Sequence, residues 1–93
     1  MNLTDSEIET LRYEAESLDM TWHYDYQGRF MVKAKYAISG SREQLNSLIS
    51  NLISMLKYAA LDDEVDEADG YENILSWLLA TRIDNLGHGF IWY

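Results

Sequence analysis

The spacing of apolar residues alternates along the chain between two periods. Apolar side chains recur every three to four residues over about 5–18, 42–60 and 70–86, and they alternate with polar side chains over about 20–38. A period of about 3.6 is typical of a helix with one buried face, and a period of two is typical of a half-buried strand. The pattern therefore predicts three amphipathic helices, with a β-hairpin between the first and the second.

Each predicted helix begins with a capping signal. Thr4 with Glu7, and Ser41 with Gln44, have the spacing of a capping box, in which each side chain bonds the backbone N–H of the other residue. Asp69 stands in the corresponding position before the third helix. We therefore expect the third helix to begin after Asp69, which leaves the acidic residues before it as a connecting loop.

The alternation on its two sides places the hairpin turn. A three-residue loop over 26–28 pairs Tyr24 with Phe30 and Trp22 with Val32, so that the apolar side chains share one face. A two-residue loop would instead pair an apolar residue with a lysine. We therefore predict the three-residue loop.

The chain closes with "GFIWY", an apolar segment that predicts a strand over about 89–93. The order α-β-β-α-α-β then predicts the α+β class, with a three-stranded antiparallel sheet packed against the helices. Gly87 would end the third helix as its C-terminal cap. Without repeats or a linker rich in Pro, Gly or Ser, residues 1–93 are expected to form a single compact domain.

The apolar stripes also predict which side chains form the core. Leu52 and Leu78 lie within the stripes of the second and third helices, and Leu79 extends the stripe beside Leu78. Tyr24 falls on the apolar face of the hairpin, whereas Trp77 falls off the apolar stripe of its helix. We therefore expect the first four in the core, and Trp77 either covering the edge of the core or exposed in a protein interface.

Composition narrows the possible partners. The formal net charge is −9, from 16 acidic and 7 basic residues. Such a field repels phosphate, so we expect no direct binding to nucleic acid or to an anionic membrane. Cysteine is absent, which excludes disulfides and thiolate metal sites. The acidic N-terminal segment is unlike a signal peptide and no apolar run is long enough to span a membrane, so a cytoplasmic location is expected.

The acidic residues are concentrated in two segments. Six of the sixteen lie within residues 1–19 and seven within 62–72. A run of like charges is ordinarily a solvated face or loop, and acidic residues before a helix are also favoured by its dipole. The alternative interpretation is that both segments form a surface for a basic partner.

No motif in the chain predicts catalysis or a metal site. Neither register of the acidic segment 62–72 places glycine and glutamate where an EF-hand loop needs them. The two histidines lack the spacing of a zinc site, and the nucleophile-elbow, Walker and dinucleotide-binding fingerprints are missing. We therefore predict a protein that is not an enzyme and that needs no cofactor or metal.

The layout resembles a family of phage inhibitors. An acidic first helix, a small antiparallel sheet and two helices joined by "LDDEVDEADGYE" resemble small phage-encoded anti-defence proteins, in particular certain Cas9-blocking anti-CRISPR proteins. The strand "GFIWY" departs from that pattern. The resemblance implies that the acidic segment mimics nucleic acid in the cytoplasm of the host cell. Its phosphate-mimicking groups would be Asp62, Asp63, Glu64, Asp66, Glu67 and Asp69.

These considerations predict an inhibitor of a basic nuclease or nucleic-acid-binding complex, acting as a monomer or dimer. An immunity protein that neutralises a nuclease toxin is one alternative, and a structural protein that oligomerises through the Ser/Asn face of the second helix is another. The predicted partner-binding surface combines acidic and aromatic side chains. Its members are Asp62, Asp63, Glu64, Asp66, Glu67, Asp69, Tyr71, Glu72, Trp77, Glu9 and Glu16.

Overall fold

The computed structural model describes residues 3–27, 33–80, 83–85 and 90–92. Its elements are α1 Asp5–Ser17, β1 Thr21–Gln27, β2 Lys33–Gly40, α2 Arg42–Leu61, α3 Val65–Ala80, β3 Ile83–Asn85 and β4 Phe90–Trp92. Three helices and an antiparallel pair of strands, β1 and β2, confirm the α+β class.

The sheet differs from the three-stranded sheet that the sequence predicts. Its strand order is β1-β2-β4-β3, and all neighbouring strands are antiparallel. The prediction continued the third helix to residue 86. In the structure α3 ends at Ala80, and residues 83–85 form the strand β3. Three residues with predicted roles lie outside the described residues. They are Gly87, the predicted C-terminal cap of the third helix, and Gly89 and Tyr93, the ends of the predicted C-terminal strand.

Both predicted capping boxes are present. Thr4 Oγ1 accepts the Glu7 N–H at 3.2 Å, and Glu7 Oε1 accepts the Thr4 N–H at 2.9 Å. At α2, Ser41 Oγ accepts the Gln44 N–H at 3.1 Å, and Gln44 Oε1 accepts the Ser41 N–H at 2.8 Å. Two otherwise unpaired donors are satisfied at each helix start, and α1 and α2 begin where the sequence predicts.

The predicted start of the third helix is wrong. α3 begins at Val65, four residues before Asp69, and the Ala68 N–H donates to the Glu64 carbonyl at 2.9 Å. Asp66 and Glu67 therefore stand in the first turn of α3, where the positive end of the helix dipole favours carboxylates. Most of the acidic segment is thus helix rather than loop.

Only three residues connect α2 to α3. Asp63 has a φ of 57°, in the left-handed region, and the Glu64 N–H donates to the Ala59 carbonyl at 2.9 Å. The Asp63 N–H donates to the Ala60 carbonyl, so the two bonds form a Schellman motif at the end of α2. The chain therefore reverses sharply at Asp62 to Glu64.

The predicted hairpin register is also wrong. Trp22 pairs with Ile38 and Tyr24 pairs with Tyr36, so each residue of β1 meets a residue six positions later than predicted. Both registers keep the same side chains on each face, and alternation alone cannot choose between them. The observed register pairs Ile38, which is fully buried, with Trp22 at the edge of the core. Tyr26 and Gln27 of the predicted loop pair with β2 instead, and residues 28–32 lie outside the described residues.

The core forms where the three helices meet one face of the sheet. Leu52 and Leu78 are buried as predicted, together with Leu11, Ile38 and Ile74. These side chains come from every helix and from the hairpin, so the core joins all the larger elements.

Two predicted core assignments, Tyr24 and Leu79, are corrected. Tyr24 is 56% exposed and Leu79 is 77% exposed, although both were expected inside. Trp77 is partly buried and packs against the core, which agrees with the expectation that its ring covers the edge of the core. On α3 the inward direction is set by Ile74 and Leu78, which turns Leu79 outward and brings Trp77 to the edge of the core.

Close packing at Gly40 positions α1 relative to α2. A Cβ atom at Gly40 would lie 2.9 Å from Gln44 Oε1 and 2.9 Å from Met20 Cε, so only glycine fits without a shift. Gln44 Nε2 donates to the Leu18 carbonyl at 2.9 Å. The end of α1 is therefore joined to the start of α2.

Candidate functional site

A groove of about 460 Å³ lies between the start of α1 and the first half of α3. Four carboxylates and several hydroxyl or amide groups line it, and its described lining contains no lysine or arginine. The lining residues are Thr4, Ser6, Glu7, Thr10, Asp66, Glu67, Asp69, Gly70, Tyr71, Asn73 and Ile74. We refer to this feature as the acidic groove.

The amphipathic faces of the two helices explain the position of the acidic groove. On α1, Leu11 and Ala15 enter the core, which leaves Glu7 and Thr10 along the side next to α3. On α3, Ile74 is buried, and the residues one and two turns before it face α1 at the helix start. The acidic residues of both segments are thereby brought to one place.

Glu7 joins the two walls of the acidic groove. Its Oε1 accepts the Thr4 N–H at 2.9 Å, and its Oε2 accepts from Asn73 Nδ2 on α3 at 3.0 Å. The backbone hydrogen bond from Thr4 is the main cause that lowers the pKa of Glu7 below its ordinary value, and the Asn73 bond lowers it further against partial burial. Glu7 is therefore a bridge between the helices whose oxygens already have partners.

The Glu7–Asn73 bond predicts a pH-dependent contribution to stability. Asn73→Ala is expected to lower the free energy of unfolding at pH 7 by about 1 kcal/mol relative to Asn46→Ala. Asn46 is an exposed asparagine of α2, and its replacement gives the same gain in helix propensity. Because a lowered pKa contributes stability above the ordinary value of 4.5, the difference should shrink as the pH falls below it. Urea unfolding of both variants at pH 7 and pH 3 measures this, and equal stabilities at pH 7 would contradict it.

The pKa values of two further side chains near the start of α3 are raised in part by neighbouring carboxylates. The hydrogen bond between the Glu64 and Glu67 carboxyls, with the repulsion between them, raises the pKa of Glu64. Burial, followed by the carboxylates of Glu67 and Glu14, raises the pKa of the Tyr71 hydroxyl. That hydroxyl stays protonated at neutral pH and can donate a hydrogen bond at the edge of the acidic groove.

Glu9 and Glu16 of the predicted surface do not line the acidic groove. Glu16 Oε1 lies 2.7 Å from Arg12 Nε, so an opposite charge offsets its own. The Arg12 guanidinium also donates to the Tyr24 hydroxyl and lies 5.4 Å from the centroid of the Tyr24 ring. Glu16 therefore belongs to a cluster beside the hairpin, and Glu9 is exposed on α1.

The remaining predicted residues occupy three different environments. Asp66, Glu67, Asp69 and Tyr71 line the acidic groove. The three acidic residues of the α2–α3 connection, Asp62 to Glu64, are exposed beyond its end, and Glu72 is exposed on α3. Trp77 packs against the core, so only part of its ring is accessible.

The prediction of site residues missed the α1 wall of the acidic groove. Glu7 and Thr10 on α1, and Asn73 on α3, line the acidic groove, yet none was assigned to the partner-binding surface. Glu7 carried a signal as the third residue of a capping box, but that signal describes only its bond to Thr4. Its second bond, to Asn73, spans 66 residues of the chain and has no sequence signature.

The described residues contain no group of three or more His, Asp or Glu side chains arranged to hold a metal ion. No helix in the described part of the chain is both long and apolar enough to cross a membrane. Comparisons with known proteins gave no match to a protein-family model, a curated protein or a solved structure. No family therefore supplies a function or a set of site residues for this chain.

Proposed function

We propose that the protein is a non-enzymatic inhibitor that binds a basic, nucleic-acid-handling protein of a host defence system and covers its nucleic-acid-binding surface. The acidic groove and the acidic connection between α2 and α3 make the contact. The inhibitor acts in the cytoplasm of the host cell, and it does not bind nucleic acid itself because its net charge is −9.

The observation that supports this proposal is the convergence of the two acidic segments. Glu7 comes from the first segment and Asp66, Glu67 and Asp69 from the second, and all four line one groove. In the described part of the chain, no ion pair joins these four carboxylates to a basic side chain. A partner that supplies lysine or arginine would therefore meet carboxylates that form no ion pair with the described residues.

The helical conformation of the second segment sets the spacing of its carboxylates. Residues three or four apart on a helix have Cβ atoms about 5–6 Å apart, comparable with the separation of successive phosphates along a strand. Asp66, Asp69 and Glu72 follow each other at this interval on α3. Guanidinium groups arranged to bind consecutive phosphates could bind these carboxylates in the same way.

Competition with nucleic acid tests the proposal. The immobilised protein is used to capture proteins from the host, and each captured protein is purified and bound to a labelled oligonucleotide. Fluorescence anisotropy should show complete displacement of the oligonucleotide at stoichiometric inhibitor, since both ligands occupy one positive surface. A complex that contains all three components, or a partner with no affinity for nucleic acid, would contradict the proposal. A captured nuclease toxin would identify an immunity protein instead.

A further inference from the structure

The turn between α2 and α3 exposes apolar side chains beyond the end of the acidic groove. Tyr58 and Leu61 in the last turn of α2 are 70% and 78% exposed, and Val65 at the start of α3 is 65% exposed. Asp62, Asp63 and Glu64 lie between them in the chain, all exposed. Residues 58–65 form the tip of the helical hairpin made by α2 and α3, and we refer to them as the hairpin tip; it is distinct from the β-hairpin.

The composition of the hairpin tip does not favour stability of the isolated chain. The C-terminal end of a helix dipole favours cations, yet the last turn of α2 has no basic residue and Asp62 is its cap. Asp63 holds a left-handed conformation that glycine adopts at lower cost. Three large apolar side chains in water gain nothing from folding. The three apolar side chains are therefore the part of the hairpin tip that burial against a partner would stabilise.

We propose that the hairpin tip is an anchor that docks on a basic protein where apolar side chains lie between lysines and arginines. The apolar side chains of the tip would be buried there, and its three carboxylates would pair with the surrounding cations. The inference rests on the proposed function, because it adds a second contact for the same basic partner.

Charge complementarity selects this occupant. Three consecutive carboxylates beside Leu61 exclude an acidic partner and repel an anionic membrane or a nucleic acid. A purely apolar partner would leave these carboxylates buried without partners, which is unfavourable because a buried charge loses its hydration. A basic surface with an apolar centre satisfies both halves of the hairpin tip, and apolar centres within a polar rim are typical of protein interfaces.

Two peptides of defined composition serve as probes. The first is an amphipathic helix made only of leucine and lysine, and the second is an oligolysine with the same number of lysines. The Leu/Lys peptide should bind about tenfold more tightly, because burial of the apolar side chains adds to the shared electrostatic attraction. Calorimetry gives the two dissociation constants, and NMR titration should shift the amides of residues 58–65 with the Leu/Lys peptide.

Two variants with the same number of new polar groups locate the effect. The tip variant carries Tyr58→Gln and Leu61→Gln, and the control variant carries Tyr13→Gln and Leu79→Gln at sites of similar exposure. All four sites lie on helices, so both variants should fold, which circular dichroism checks. The tip variant should bind the two peptides equally, whereas the control variant should keep the tenfold preference.

Each failure has a separate meaning. Equal affinity of the wild-type chain for both peptides, or an unchanged preference in the tip variant, overturns the anchor but leaves the acidic surface in place. Absence of binding to either peptide overturns the proposed function and the anchor with it. A wild-type dimer that the tip variant converts to a monomer in sedimentation would show that a second copy covers the hairpin tip, which also overturns the anchor.

Discussion

Replacing Leu52 or Leu78 by alanine is expected to lower the free energy of unfolding by about 2–5 kcal/mol. Both side chains lie in the cluster that joins α1, α2, α3 and the hairpin, so each substitution leaves a cavity bounded by several elements. Such a loss is a large share of the stability of a domain of this size. Urea unfolding monitored by circular dichroism measures the change.

The neighbouring residues provide matched controls. Ile53→Ala and Leu79→Ala remove a similar side chain at positions that the structure exposes. Each should cost less than the substitution of its buried neighbour, and Leu79→Ala should cost less than about 1 kcal/mol, since little of the Leu79 side chain leaves water. If Leu79→Ala destabilised the protein as much as Leu78→Ala, the orientation of α3 would be contradicted.

Neutralising the acidic residues of α3 is expected to slow association with the basic partner. Asp66→Asn, Glu67→Gln and Asp69→Asn together should lower the association rate constant by about tenfold or more at low ionic strength, because steering by an oriented charge patch accounts for such factors. The difference should shrink as salt screens the charges. Surface plasmon resonance with the captured partner, over a range of salt concentrations, measures both.

A variant with the same change in net charge separates steering from bulk charge. Glu9→Gln, Asp25→Asn and Glu43→Gln neutralise three exposed acidic residues that do not line the acidic groove. This control variant should keep most of the association rate. Equal losses in the two variants would mean that net charge matters and that the acidic groove does not. Extending the first variant with Asp62→Asn, Asp63→Asn and Glu64→Gln should slow association further.

Short-range patterns in the sequence were sufficient to predict the starts of α1 and α2, and the presence of three helices and a β-hairpin. The Thr4–Glu7 and Ser41–Gln44 capping boxes involve residues three apart, so their geometry is set within one helical turn. The stripe containing Leu52 is likewise a property of one helix. Local interactions of this kind act in any fold that contains the segment, which is why they can be predicted from sequence.

The start of α3 shows where a local signal misled. Asp69 and Glu72 have capping spacing, but α3 begins at Val65 and includes Asp69 in its second turn. The Schellman motif at Asp63 ends α2 and reverses the chain, so that only three residues separate the end of α2 from the start of α3. An aspartate in a left-handed conformation replaces the glycine that normally marks such a stop, so the sequence lacked the usual signal.

The class of the fold, the caps of α1 and α2, and the two acidic segments of a chain with net charge −9 could all be predicted from the sequence. The register of the β-hairpin, the outward orientation of Leu79 and the hydrogen bond between Glu7 and Asn73 depend on contacts between distant elements. The physical reason is the same in each case. Several registers and rotations satisfy the apolar pattern of a single element equally well, and packing against distant elements selects one of them. The acidic groove exists only because that selection places α1 beside the start of α3.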